Sequence, residues 1–214
     1  MRMTRPLCVV TMVVAIGTAL SRDIGAYATN GVVWNVRPVP YSINTTNLDL
    51  PESAVEPAVR AGADVWSTQS DASISLQYTG RSDQTTTGND GLNLVVFRNA
   101  SNGSAIATTY WWSSGGRIID ADIVFWDAGF RFFSGTTGCS GGFYIEDIAA
   151  HEFGHALGLG HSTTTGATMY PSVSSCNAGN RTLDADDIAG VRFLYPPLPG
   201  VPSRVQHLRV VSGS

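Results

Sequence analysis

The chain has 214 residues, a net charge of −4 and 43% hydrophobic residues, which suits one domain with short extensions and a sizeable core. An acidic balance leaves no basic footprint for nucleic acid, and no nucleic-acid partner is expected. Every basic residue is arginine, a bias we read as codon usage rather than function.

Arg2 and Arg5 precede an apolar stretch, residues 7–20, that is too short to cross a membrane comfortably. Ala26-Tyr27-Ala28 then offers an A-x-A cleavage site, so residues 1–28 read as a signal peptide and the protein as secreted. The alternative is an uncleaved N-terminal anchor. With Cys8 in the leader, Cys139 and Cys176 remain, an even pair that reads as one disulfide in an oxidising compartment. The competing reading lets one of these thiols ligate a metal and hold the protein latent.

After the leader, residues 32–34 and 39–43 read as short strands. Pro51 suits the start of a helix over residues 51–69, with Glu52 and Glu56 at its positive end and Val55, Val59 and Trp66 at helical spacing. Pro57 is awkward there and tolerable only near the start. Strands are expected over 74–78, 92–97, 105–112 and 118–126, with a polar loop at 81–90 and a turn at 113–116. Trp111 and Trp112 read as packing or rim residues rather than a ligand platform.

A helix over 144–157 follows a glycine-rich loop, residues 134–142. It carries His151, Glu152 and His155. The two histidines lie one turn apart on one face, so both imidazoles can reach one metal ion. Gly158 can break the helix at a left-handed position and bring His161 round as a third ligand. Three neutral imidazoles with a fourth position open describe a catalytic Zn2+ site rather than a structural one. Glu152 is placed to take a proton from water as general base. Three of the chain's four histidines sit in this window; the fourth, His207, reads as solvated.

A last helix is expected over 184–194, with Ile188, Val191 and Leu194 or Tyr195 along its buried face. Strands first and helices later point to an α+β fold with a mixed sheet. Pro196, Pro197, Pro199 and Pro202 mark residues 196–214 as a linker or tail. Residues 205–211 are similar to the opening strand of a fibronectin type III module. They are either a flexible tail or the start of a further module in a longer secreted protein.

On these residues the chain resembles the metzincin zinc peptidases, and among them the matrixins. His151, Glu152, His155, Gly158 and His161 match the signature, and Thr168-Met169-Tyr170-Pro171 looks like the turn that places a Met under the zinc. Ser162 is the matrixin choice after the third histidine, and residues 183–191 are similar to the final helix with its paired aspartates, Asp186 and Asp187. The resemblance covers residues 32–195 and assigns 29–195 to a catalytic domain. It implies a metzincin fold: a twisted, mixed five-stranded sheet, three helices and a cleft over the zinc helix. It also implies an extended peptide or protein substrate along an edge strand within residues 105–110, a hydrophobic floor at Met169, and Tyr170 and Pro171 walling the selectivity pocket. Calcium binding is common in the family, and Asp120, Asp122 and Asp127 are candidate donors.

Three departures stand out. Within these 214 residues no segment resembles the matrixin pro-domain with its blocking cysteine or a propeller, and beyond the triad only His207 is left where a second, structural zinc needs several histidines. The pattern is closer to small secreted bacterial matrixin-like proteases, and a monomer is expected, free of the membrane once the leader is cut. Two rival functions stay open: a catalytically inactive secreted zinc-containing binding or adhesion module, and a zinc hydrolase acting on something other than peptides.

Overall fold

The computed structural model describes residues 26–199; the apolar part of the leader, the fibronectin-like residues 205–211 and His207 lie outside them. In chain order the strands and helices are β1 (Val33–Trp34), β2 (Val39–Ile43), α1 (Glu52–Gln69), β3 (Leu76–Arg81), β4 (Leu94–Arg98), β5 (Ala107–Ser114), β6 (Arg117–Trp126), β7 (Phe132–Phe133), β8 (Phe143–Tyr144), α2 (Ile145–Ala156) and α3 (Ala185–Leu194).

β6 organises the sheet. Its second half is a continuous buried run, as a strand covered on both faces requires. One edge of β6 pairs in parallel with β4, and through β4 with β2 and β3. The other edge pairs antiparallel with β5 along almost its whole length, across the turn at Gly115 and Gly116. The sheet is therefore mixed, with β5 at one border, and its five main strands are those expected. The two-residue β1 adds a sixth beside the start of β6. β7 and β8 form a separate parallel pair just before α2.

Boundaries shift by about two residues where tertiary pairing overrides local pattern. β3 runs on to Arg81, because pairing with β2 continues through an irregularity as far as Ile43. α1 runs through Pro57 unbroken, with Pro51 as its N-cap. Its buried face, including Val55, Val59, Ala63 and Trp66, packs on α2. The two helices approach closely at Gly62, where an added Cβ would lie 2.5 Å from that of Ala149. Trp66, fully buried, donates from Nε1 to the carbonyl of Ala150 at 2.8 Å. α2 in turn packs against β5 and β6, so one core lies between the sheet and both helices.

The far end of α2 is held as firmly. Trp34 Nε1 donates to the Ala156 carbonyl at 2.8 Å, and the Tyr195 hydroxyl donates to that of Leu157 at 2.8 Å. Carbonyls that the last helical turn leaves without partners are thereby satisfied by side chains from β1 and from the end of α3. No helix among the described residues is long and apolar enough to cross a membrane.

Candidate metal centre

His151 and His155 project from the last two turns of α2, and Gly158 ends the helix. Gly158 N–H reaches the His155 carbonyl at 2.9 Å and Leu159 N–H that of Gly154 at 3.0 Å, the two bonds of a Schellman cap. Gly158 has φ +97°, and a Cβ there would sit 2.5 Å from the Val32 carbonyl oxygen. Only glycine meets both demands. The reversed chain then delivers His161.

The three imidazoles converge. His155 Nε2 lies 3.1 Å from that of His151 and 3.2 Å from that of His161. His151 Nδ1 donates to the Thr168 carbonyl at 2.7 Å and His155 Nδ1 to the Leu159 carbonyl at 2.9 Å. A carbonyl can only accept, so both Nδ1 atoms carry the proton and both Nε2 atoms present lone pairs. Lone pairs facing each other at this range repel unless a cation lies between them. Zn–N bonds of about 2.0–2.1 Å around a tetrahedral ion require donors about 3.4 Å apart, and the triad fits. Burial, followed by the influence of His151, pushes His155 down to about 3, and the same causes lower His161. Neutral imidazoles are the form that binds metal.

Glu152 is buried beside the triad. Burial raises its pKa, opposed by His151 and by a hydrogen bond from Thr109. Met169 is 2% exposed and so close to Gly154 of α2 that an added Cβ there would meet its sulfur at 2.2 Å.

The paired aspartates of α3 hold this turn. Asp187 accepts the N–H of Thr168 at 2.7 Å and of Met169 at 3.0 Å, while also closing a capping box with Asp184. Asp186 accepts the Ser162 hydroxyl at 2.6 Å and the N–H groups of Ala26 and Tyr27 at 2.7 and 3.1 Å.

A cleft of about 860 Å³ opens over these groups, bordered by β5, α2 and the segment after Met169; Thr109, Tyr110, Tyr170 and Val173 are among its walls. The outer edge of β5 pairs with no other strand among the described residues, so alternate N–H and C=O groups face the cleft side. Trp111 and Trp112 also border it, with Trp111 partly packed on the core, in keeping with rim residues.

Cys139 and Cys176 form a disulfide, so neither thiol is a metal ligand. It ties the loop before β8 to the segment that walls the cleft. Arg181 reinforces the tie by pairing with buried Asp147 in the first turn of α2, and its NH1 donates to the Gly135 carbonyl at 2.8 Å. Burial raises the Asp147 pKa against the opposing pull of Arg181.

Among the described residues the three histidines are the one group of at least three such side chains close enough to share an ion. Asp120, Asp122 and Asp127, the candidate calcium donors, form no such group. Asp120 accepts the N–H of Asp90 and Gly91, Asp122 those of Gly88 and Leu94, and Asp127 that of Leu48. They pin loops to the sheet.

Residue pattern alone passed over Thr109, whose one signal is a hydroxyl in a strand bordering the cleft. The roles of Trp34 and Tyr195 at the end of α2 had no local signal at all.

A sequence profile of the matrixin family matches residues 33–196. Over 192 residues the chain is 30% identical to matrix metalloproteinase-18 of Xenopus laevis, covering 85% of this chain and 39% of that protein. It is 33% identical over 185 residues to the hatching enzyme of Paracentrotus lividus, covering 81% and 28%. With human neutrophil collagenase it shares 29% identity over 172 residues, covering 76% and 33%. The chain thus spans well under half the length of these relatives, and the shared part is the part that carries the histidine triad. It belongs to the matrixins, a family of zinc-dependent peptidases.

Proposed function

We propose that the protein is a secreted zinc metalloendopeptidase that hydrolyses peptide bonds of extracellular proteins. The observation that carries the reading is the convergence of three Nε2 atoms beside a buried carboxylate, at the floor of an open cleft. His151, His155 and His161 would hold the ion, and Glu152 would act as general base. When bound, zinc supplies Lewis acidity, acidifying water and polarising a peptide carbonyl.

The protein's own groups do the rest. Thr168 and Leu159 carbonyls fix the tautomer and aim of two ligand rings. The free edge of β5 accepts an extended peptide as an added strand, through backbone bonds that ignore sequence. Glu152 takes a proton from water as its oxygen bonds to the carbonyl carbon, then gives it to the amine nitrogen as the C–N bond breaks. Selectivity falls to the pocket walled by Tyr170, Pro171 and Val173.

Export rests on the leader and agrees with the disulfide. Residues 26–28 bear hydrogen bonds to Asp186, Gly160 and Thr163, which cleavage after Ala28 would remove. N-terminal sequencing of the exported protein distinguishes a first residue at Thr29 from one that keeps this segment. The mature protein acts as a monomer on protein substrates.

The decisive experiment pairs metal analysis of the purified protein with cleavage of casein and quenched peptides by wild type and Glu152→Ala. One zinc per chain is expected in both, with activity lost by about a hundredfold or more in the variant. Full zinc with no cleavage of any denatured protein by wild type would favour the inactive binding module. Equal cleavage by the variant would remove Glu152 from the reaction.

A further inference from the structure

We propose that Thr109 is a positioning residue for Glu152: its hydroxyl donates to Oε2 of the carboxylate and reserves Oε1 for the proton of the attacking water. The inference deepens the reading of Glu152 as general base and rests on it.

Thr109 lies on β5, the strand that borders the cleft, paired with Ile123 of β6 on its inner side. Its Oγ1 stands 2.6 Å from Glu152 Oε2 and 3.0 Å from the Glu152 main-chain oxygen. A hydroxyl has one proton to give. The main-chain oxygen lies inside α2, where Ala156 N–H already serves it. The carboxylate is the closer acceptor and carries charge, which makes it the stronger one. The proton goes to Oε2.

Among the described residues no other hydrogen bond reaches the Glu152 side chain. A glutamate has three rotatable bonds, and burial alone does not choose which oxygen faces the cleft. Thr109 does. It is β-branched and therefore stiff at χ1, and its backbone is fixed by the ladder to β6. With Oε2 engaged, the proton taken from water resides on Oε1. The same oxygen then returns it to the amine nitrogen as the C–N bond breaks, so the carboxylate need not turn over between the two transfers. Holding the acceptor oxygen in place is a contribution to orientation, felt in the chemical step more than in binding.

Thr109→Val keeps shape and removes the hydroxyl, whereas Thr109→Ser keeps the hydroxyl and removes a methyl. The Val variant should lose about ten- to a hundredfold in kcat, the worth of a hydrogen bond to a charged group. Its KM should stay within about threefold, and the Ser variant should retain kcat within about threefold of wild type. Zinc content and thermal midpoint, read on the same samples, should match wild type in both. Wild-type kcat in Thr109→Val would overturn the proposal. So would a loss that follows lost zinc, or one that Ser does not restore, since either marks Thr109 as a packing residue between β5 and α2. Glu152→Gln, run in parallel, separates the two ideas. If it stays active, the general-base reading fails. If it is inactive while Thr109→Val is fully active, only the positioning role fails.

Discussion

Asp187 and Met169 sit on different elements, yet the carboxylate of one fixes the backbone of the other at 3.0 Å. The second oxygen of Asp187 takes Thr168 N–H at 2.7 Å, and the Thr168 carbonyl receives His151 Nδ1 at 2.7 Å. A buried aspartate at the start of α3 is therefore two hydrogen bonds from a ring of the histidine triad. Asp187→Asn must set an NH2 group against amides that are themselves donors. It should cost about 1–3 kcal/mol in stability and weaken zinc binding by about ten- to a hundredfold. Chemical unfolding and competition with a zinc chelator read the two effects; wild-type values in both would mean the turn holds without it.

Gly158→Ala combines a left-handed φ of +97° with a Cβ only 2.5 Å from a main-chain oxygen that cannot swing aside. We expect a loss of more than about 2 kcal/mol, accompanied by lost zinc, because the turn that delivers His161 must move. A variant with wild-type melting temperature and full zinc would show that the Schellman turn tolerates a side chain.

The clamp on the cleft wall has two parts that can be removed separately. Serine at both Cys139 and Cys176 opens a loop of sequence separation 37, worth about 3–4 kcal/mol in the chain-entropy account. Arg181→Ala leaves Asp147, with side-chain exposure of 1%, buried beside α2 without its cation, at a cost of about 3–5 kcal/mol. Replacing Asp147 by Asn in the same chain should recover part of that. No recovery in the double variant would mean that Arg181 acts through packing on Tyr144 and its bond to Gly135 instead.

Burial pushes the Asp122 carboxyl up to about 7, against the lowering effect of N–H groups from Gly88 and Leu94. The folded protein thus binds this proton more tightly than the unfolded chain, whose carboxyl titrates near 3.8. The resulting stability is complete below that unfolded value and is lost as pH rises through about 7. Asp122→Asn has nothing to titrate. Urea unfolding at acid and neutral pH should show wild type losing ground to the variant as pH increases. A difference that stays constant across the range would place the ionised form of Asp122 as comfortable in the fold.

Much of the architecture could be read from one dimension because it depends on local period. The alternation of β3 and the apolar run of β4 survive in the structure with ends displaced by one to three residues, and the helix around Trp66 with its start displaced by one. Those ends depend on partners, as Arg81 shows by joining β3 only because Ile43 lies opposite. The spacing of His151, Glu152, His155, Gly158 and His161 was legible for the same reason, since a helix turn followed by a reversal at the glycine determines where the other four side chains go.

Contacts between distant segments were not legible in that way. Trp34 and Tyr195 reach the end of α2 across 122 and 38 positions. Thr109 meets Glu152 across 43, and Asp187 meets Met169 across 18. Periodicity carries no information about which hydroxyl or carboxylate will stand opposite a given amide once the sheet has twisted and α2 has packed. The sequence by itself determined the metal-binding chemistry and the elements that bear it. The tertiary structure decided which groups hold the imidazoles at their angles, which oxygen of Glu152 is engaged, and which edge of the sheet is left unpaired among the described residues.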